Sequence, residues 1–308
     1  MTATLLATRQ RVNHPDLERS QRRAGRLLLA PGMLLLLITT VIPLVMAAVL
    51  SFTKYDLLSA PTFVGFDNYR ALFGDPDFVK SIGNTFYFAV GQVVLGLVVA
   101  FMVAMLFNRP LVGGAVMRTV IYLPQAMSYV VVALLWSFLY DPYLGPINAA
   151  LRGMGIDTVN FLTQPGLAMP SIMLMSMWRN LGYFMIILLA GLKAVPEELI
   201  EASHVDGASW WYRLKDVIIP QMRNPLFFVA VTWFMGGLQM FTQSYVMTQG
   251  GPLQQTRTVV FHMYEAAFLS LNIGQASAVG VLMFLFVVVV ALPLRIAQEL
   301  RSTRRTNA

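Results

Sequence analysis

The chain has 308 residues, of which 57% are hydrophobic and only 12% are charged, and its formal net charge is +7. A soluble domain carries about 25% charged residues, so this composition excludes an ordinary soluble fold. The absence of cysteine excludes disulfides and thiolate metal sites. In a chain this apolar, we attribute the positive charge to membrane topology rather than to nucleic-acid binding.

Six apolar segments are each long enough to cross a bilayer. A helix rises about 1.5 Å per residue, so about 20 apolar residues span a hydrocarbon core of about 30 Å. The predicted spans are 27–52, 82–107, 117–140, 168–191, 223–247 and 273–297. The sequence therefore predicts an all-α polytopic membrane protein with six transmembrane helices.

The two ends of the chain are polar. Residues 1–26 hold six arginines, and we expect a disordered basic tail there. The segment 27–52 is too long for a signal-peptide core and lacks a clear cleavage site, so we expect an uncleaved first transmembrane helix. Residues 298–308 are expected to form a second tail.

The basic residues predict the orientation of the chain in the membrane. With the N-terminus inside, sixteen of the 22 lysines and arginines lie in inner segments or at inner helix ends. The outer loops hold only five, namely Lys54, Arg70, Lys80, Arg152 and Arg257, and Arg179 lies within the fourth span. The positive-inside rule then predicts that both termini are cytoplasmic.

The predicted inner loop between spans four and five is unusually polar. Its first part predicts a short helix, because Pro196 suits the first helical position and Glu197 and Glu198 suit the positive end of the helix dipole. Gly207 suits a left-handed stop after this helix, and Ser209 suits the N-cap of a second, amphipathic helix. The prediction is a helix, a glycine elbow and a second helix at the inner membrane face.

Two partners of this loop are conceivable, lipid and protein. An interfacial helix resting on lipid explains Trp210 and Trp211. It does not explain the acidic first helix, which anionic inner-leaflet lipids would repel. We therefore expect the first helix to dock on a protein.

Several stretches of the chain resemble a known family. "EASHVDGA" followed by "VIIP" resembles the E-A-A-x-x-D-G-A … I-x-L-P loop of ABC importer permeases. "FVGFDNYRALFGDPDF", "RTVIYLP", "LAGLKAVPEEL" and "TQGGP" are similar to the maltose-type, carbohydrate-importing branch. The resemblance covers roughly residues 27–297. The loop departs from the pattern mildly, with Ser203 for the second alanine, Val217 for isoleucine and Ile219 for leucine.

The resemblance implies an architecture and a set of partners. It implies a type I importer permease with a first helix and outer loop at 27–81, a five-helix core at 82–297 and a cytoplasmic coupling loop at 196–220. The loop residues that match the family motif are Glu201, Ala202, Ser203, Asp206, Gly207, Ala208 and Pro220. The implied partners are a second homologous permease, two ATP-binding cassette subunits and an extracytoplasmic solute-binding protein, in a bacterial inner membrane.

The energy source is expected on another polypeptide. A phosphate-cradling loop requires G-x-x-x-x-G-K-[ST], and no Gly-Lys pair occurs in this sequence. We therefore expect a non-catalytic translocation subunit without a cofactor of its own, with ATP and Mg bound by the partner ATPase.

Polar residues at membrane depth are costly and mark candidate pathway positions. Spacing predicts that Gln239, Thr242 and Gln243 share one face of the fifth span. The family resemblance implies sugar contacts at Gln125, Tyr129, Tyr183, Gln239 and Gln243. For each of them, ordinary packing between helices is the alternative. Arg179 is a pathway residue, a partner in a helix-to-helix hydrogen bond, or a residue that snorkels outward from a shorter span.

Other functions remain open at this point. Within the family, glycerol phosphate or an amino acid is the alternative to a sugar as the solute. An ion-coupled secondary transporter would need an intramembrane carboxylate, but Asp56, Asp141 and Glu299, the acids nearest a span, fall outside the spans. A non-transporting scaffold would have no use for the polar face of span five.

Overall fold

The computed structural model describes residues 15–306, with side chains from residue 25 to residue 290 apart from residue 27. The α-helices in this part of the chain are, in order, α1 (Pro15–Leu36), α2 (Ile42–Leu50), α3 (Asp67–Gly74), α4 (Pro76–Phe107), α5 (Gly114–Ala126), α6 (Tyr129–Leu139), α7 (Pro146–Gly153), α8 (Ala168–Lys193), α9 (Glu197–Val205), α10 (Trp210–Tyr212), α11 (Ile219–Leu238), α12 (Thr242–Met247), α13 (Val259–Tyr264) and α14 (Ile273–Thr306). Strands β1 (Thr53–Lys54) and β2 (Thr62–Phe63) pair antiparallel.

The first helix begins earlier than the sequence predicts. Residues 15–26, which we expected to be disordered, form the first turns of α1. Residues 1–14 of the predicted tail lie outside the described part of the chain. A π-helical turn at Leu37–Val41 joins α1 to α2, immediately before Pro43, which has no N–H to continue the hydrogen-bond ladder. In the apolar part of this segment, Leu28–Leu50, no residue is buried by contacts with the rest of the chain.

Four helices in the described residues are long and apolar enough to cross a membrane, and they are Leu28–Leu50, Pro76–Phe107, Ala168–Lys193 and Ile273–Val290. A fifth crossing results if α5 and α6, which meet at 102°, form one broken span. The chain is thus an integral membrane protein, while the count of six spans stays a prediction.

Two predicted spans are wrong as single helices. The third breaks at Met127 and Ser128, whose extended backbones follow Pro124 by a few residues. The fifth ends at Leu238, and the chain turns through an irregular segment before α12 starts at Thr242. The end of α11 therefore separates Gln239 from Thr242 and Gln243, which we predicted on the same helix face.

Three long helices, α4, α8 and α11, pack against one another, and α5 lies along α8. The contact between α5 and α8 is a backbone contact, because a Cβ at Gly182 would collide with the carbonyl oxygen of Ile121. Two apolar clusters fill the bundle. One surrounds Leu188 and Trp233 near the end that carries the polar loop, and the other surrounds Trp136 and Ile172 towards the opposite end.

Polar contacts tie the loop after α12 to the start of α4. Arg257 pairs with Asp77 at 3.2 Å and with Glu265, and the Lys80 ammonium donates to the Leu253 carbonyl at 2.7 Å. These contacts hold the loop against the bundle at the end opposite the polar loop.

Candidate functional site

The polar loop forms the predicted elbow. Helix α9 carries Glu197 and Glu198 in its first turn, and Pro196 is its N-cap rather than its first helical residue as predicted. Gly207 has φ +70°, the left-handed conformation that glycine adopts without steric cost. The Ser209 hydroxyl accepts a hydrogen bond from the Tyr212 amide at 3.3 Å and caps α10, which confirms the predicted cap.

Arg213 fastens the two sides of the elbow. Its Nη1 lies 2.8 Å from the Nδ1 atom of His204 on α9 and donates to the Ala208 carbonyl at 3.2 Å. Because arginine only donates, the His204 Nδ1 atom must act as the acceptor. The angle between α9 and the following helix is therefore held by a side chain as well as by the glycine.

Of the seven motif residues in the loop, Ser203 is buried, Ala208 is half-buried and the other five are exposed. Ser203 is buried, and its hydroxyl donates to the Ile200 carbonyl at 2.6 Å. Glu201, Ala202, Asp206 and Gly207 are exposed, and Val205 beside them is 88% exposed. An acidic surface with an uncovered apolar residue thus projects from the bundle.

The second loop helix does not end before the membrane. Helix α10, the π-helical segment Arg213–Ile218 and α11 form one continuous helix. Pro220 lies in the first turn of α11 and cannot donate to the carbonyl of Asp216, which explains the wider π turn at this place. Helix α9 is therefore connected through the elbow to the helix that contributes Trp233 to the interior of the bundle.

A polar cleft of about 250 Å³ lies between the two apolar clusters. Five of the predicted pathway residues line it, and they are Gln125, Tyr129, Arg179, Tyr183 and Gln243. They come from α5, α6, α8 and α12, so the fold brings together side chains that are up to 118 positions apart. Gln239 does not join them, because it is the exposed C-cap of α11.

Arg179 holds the broken helix together. Its Nε and Nη2 donate to the Met127 carbonyl at 3.2 and 2.9 Å, and Nη2 also donates to the Gln125 carbonyl at 3.2 Å. The guanidinium lies 3.8 Å from the centre of the Tyr129 ring. In a membrane, carbonyls freed by a helix break need a protein partner, and a cation suits the negative end of α5. Arg179 thus makes a helix-to-helix contact and also lines the cleft.

Two amide side chains complete this arrangement. Arg179 Nη1 donates to the Gln125 Oε1 atom and to the Asn180 Oδ1 atom, both at 3.1 Å. The Asn180 amide then donates to the Tyr129 hydroxyl at 3.0 Å. The orientations of Gln125 and Tyr129 are therefore set by the residue pair Arg179 and Asn180.

A second polar network, which we did not predict from the sequence, surrounds Gln92. Gln92, buried halfway along α4, donates to the Met173 carbonyl at 2.5 Å and accepts from the Trp233 indole at 2.9 Å. It joins α4, α8 and α11 at the depth of the cleft. A lone amide in an apolar span is costly, and this alone would have singled out Gln92.

Two buried side chains of the cleft, Ser176 and Gln243, have no hydrogen-bond partner among the described residues. The Ser176 hydroxyl is buried without a hydrogen bond. Gln243 is only 6% exposed, and no side-chain hydrogen bond is found for it in residues 25–290. Buried polar groups usually have partners, so these two are suited to hydrogen-bond water or a solute in the cleft. In the same part of the chain, no group of three or more metal-ligating side chains occurs.

A bundle of apolar helices with a polar cleft at mid-depth and a projecting acidic elbow defines a membrane transport subunit. Residues 92–306 match the family described as "Binding-protein-dependent transport system inner membrane component". The chain belongs to this family, and its relatives are permease subunits of ABC transporters. The family resemblance of the loop and its flanks is thereby confirmed.

Individual relatives match almost the whole chain. The "Probable ABC transporter permease protein" of Pyrococcus horikoshii is 33% identical over 274 residues, which are 87% of this chain and 92% of the relative. The sulfoquinovosyl glycerol transport system permease protein of Agrobacterium fabrum is 30% identical over 91% of this chain and 92% of its own length. A subunit of a bacterial alginate ABC transporter, solved with its pentasaccharide-bound periplasmic protein, has the same fold, with a TM-score of 0.78 at 24% identity over 95% of this chain and 97% of that one.

Proposed function

We propose that the chain is the permease subunit of an ABC importer that moves a sugar or sugar derivative across the bacterial cytoplasmic membrane. The acidic elbow at residues 197–209, exposed between the long helices α8 and α11, is the observation that carries the proposal. It offers a docking surface to an ATPase subunit and continues without a break into α11, which lines the cleft with Trp233. A change in the docked ATPases would thus move a wall of the solute site.

The substrate class follows from the cleft and from the relatives. Amides, hydroxyls and an aromatic face suit the hydroxyl groups and rings of sugars, and the cleft combines Gln125, Tyr129 and Gln243 in this way. The Agrobacterium relative, a permease for sulfoquinovosyl glycerol, supports a sugar derivative. The complex would further contain a second, homologous permease, two ATP-binding cassette subunits and an extracytoplasmic binding protein.

A matched pair of glycine variants tests the coupling. Gly207 and Gly155 both have positive φ, and a Cβ at either would meet no atom within 4 Å. We expect Gly207→Pro to reduce solute-stimulated ATPase activity of the purified complex to its basal level, because proline cannot adopt φ +70°. Gly155→Pro makes the same backbone change far from the elbow and should leave the stimulation intact. Full stimulation in Gly207→Pro would contradict docking at the elbow.

Cysteine labelling tests the orientation. The protein has no cysteine, so a single introduced thiol gives a signal without background. With both termini cytoplasmic, Val205→Cys in intact cells should resist a membrane-impermeant thiol reagent, while Leu253→Cys should react. Both residues are exposed in the chain itself, at 88% and 70%, and the same labelling in cells that express it without partner subunits excludes cover by a docked ATPase. Labelling of position 205 from outside would reverse the proposed topology.

A further inference from the structure

The cleft carries a positive charge without a matching negative one. Arg179 is the only charged side chain that lines it, and the ion pairs found in the described residues involve Arg70 and Arg257 instead. The five N–H groups of Arg179 bond to carbonyl and amide oxygens, which satisfy the donors but carry no full charge. The end of α5 contributes about half a negative charge, so the cleft remains positive.

Arg179 also decides which end of the Gln125 amide faces it. Because arginine has only donors, the Gln125 Oε1 atom points to the guanidinium. The Gln125 Nε2 group, which has no partner among the described residues, is then left as a donor at the wall of the cleft. The unpartnered hydroxyl of Ser176 and the amide of Gln243 border the same space.

We propose that Arg179 is a positioning residue that makes the cleft selective for an anionic sugar derivative, one that bears a carboxylate, sulfonate or phosphate group. Its charge attracts the anionic group, and the amide that it orients donates a hydrogen bond to one of the acceptor oxygens of the solute. A cationic amino sugar is disfavoured for the same reasons, because it brings a second positive charge and further donors. This inference rests on the proposed function and adds the charge of the solute to it.

The test compares three probes of matched size, glucuronate, glucose and glucosamine. Each is titrated into the purified complex in lipid nanodiscs, without binding protein and without ATP, and its Kd is obtained by ligand-observed NMR. We expect glucuronate to bind on the order of tenfold more tightly than glucose and glucosamine to bind most weakly, with the difference shrinking at high salt. Because no ATP is hydrolysed, the result is independent of whether the elbow variants uncouple transport.

Three variants separate the charge from the oriented amide. Arg179→Met should bring the Kd of glucuronate to that of glucose, whereas Arg179→Lys should retain the preference because it keeps the charge. Gln125→Leu removes the oriented donor and should weaken glucuronate binding by roughly 2- to 13-fold. Thermal melting of each variant checks that the complex is folded.

Two results would overturn the proposal. The first concerns the wild-type complex. If glucuronate binds no better than glucose or glucosamine, or does not bind at all, the cleft does not select for an anion. The second concerns Arg179→Met. If this variant loses the same affinity for all three probes, Arg179 only stabilises the structure and does not select the solute. Should Arg179→Met fail to assemble, the wild-type panel and the Arg179→Lys variant decide the question by themselves.

Discussion

The elbow at Gly207 and the helix break at Met127 both turn the chain between two helices, but they are held in different ways. Each turn ends in a serine N-cap, since Ser209 and Ser128 both accept an amide hydrogen bond at 3.3 Å. At the elbow, a glycine with φ +70° makes the turn among exposed residues, where water can replace a missing partner.

At the break, no glycine is present, and the freed carbonyls of Gln125 and Met127 are bonded by Arg179. The partner comes from 52 residues further along the chain. A bend that is exposed to water can therefore be specified by local residues. A bend at membrane depth needs a side chain from a distant part of the sequence to hydrogen-bond the freed backbone carbonyls.

The largest effect is expected where α5 meets α8 next to the break. Gly182→Val should destabilise the bundle by about 3 kcal/mol or more, because its Cβ would collide with the Ile121 backbone, which can relax only by moving a helix. Gly83→Val, also within a helix but with no atom near the new Cβ, serves as the control. Melting temperatures of the two purified variants measure the difference, and equal values would mean that α5 and α8 are not in backbone contact.

Arg179 at the break and Arg213 at the elbow should give the next largest difference in stability when each is replaced by methionine. Arg179→Met should cost about 2 kcal/mol, because at least two part-buried carbonyls lose their partners at about 1 kcal/mol each. Arg213→Met at the elbow should cost about 1 kcal/mol or less, since water replaces it as the donor to the exposed His204 ring. Unfolding of the two variants in denaturant tests this order, and a larger loss for Arg213→Met would refute the comparison.

The serine caps should give the smallest effect. Ser209→Ala should cost about 0.5 kcal/mol and Ser128→Ala about 1–2 kcal/mol, because less water is available at membrane depth to replace the lost cap. Threonine at each position keeps the acceptor and should restore most of the stability. The free energies of unfolding of the four variants test the ranking; equal costs for both alanine variants would show that the environment of the break is as wet as that of the elbow.

The elbow could be predicted from sequence because its signals are local. Glu197 and Glu198, Gly207 and Ser209 each act within one helical turn, and the structure confirms the helix, the left-handed stop and the cap. Only the detail of Pro196 differs, since it precedes the first turn instead of starting it.

The cleft was predicted in part. The family resemblance implied sugar contacts at Gln125, Tyr129, Tyr183, Gln239 and Gln243, and all of these except Gln239 line the cleft. The spacing that joined Gln239 to Gln243 on one helix face is wrong as well. The two residues would share a face only on an unbroken helix, and α11 ends one residue before Gln239. In an apolar span nearly every residue suits a helix, so composition does not reveal where one stops.

The sequence by itself determined that this chain is a polytopic helical membrane protein of the binding-protein-dependent family, with a capped helical elbow between two of its long helices. Only the tertiary structure decided where the membrane helices break and which polar groups meet at mid-depth. Breaks at that depth are stable when Arg179, or a group like it, reaches the freed backbone from another helix. Such a contact depends on the packing of α5 against α8, which no local sequence pattern records.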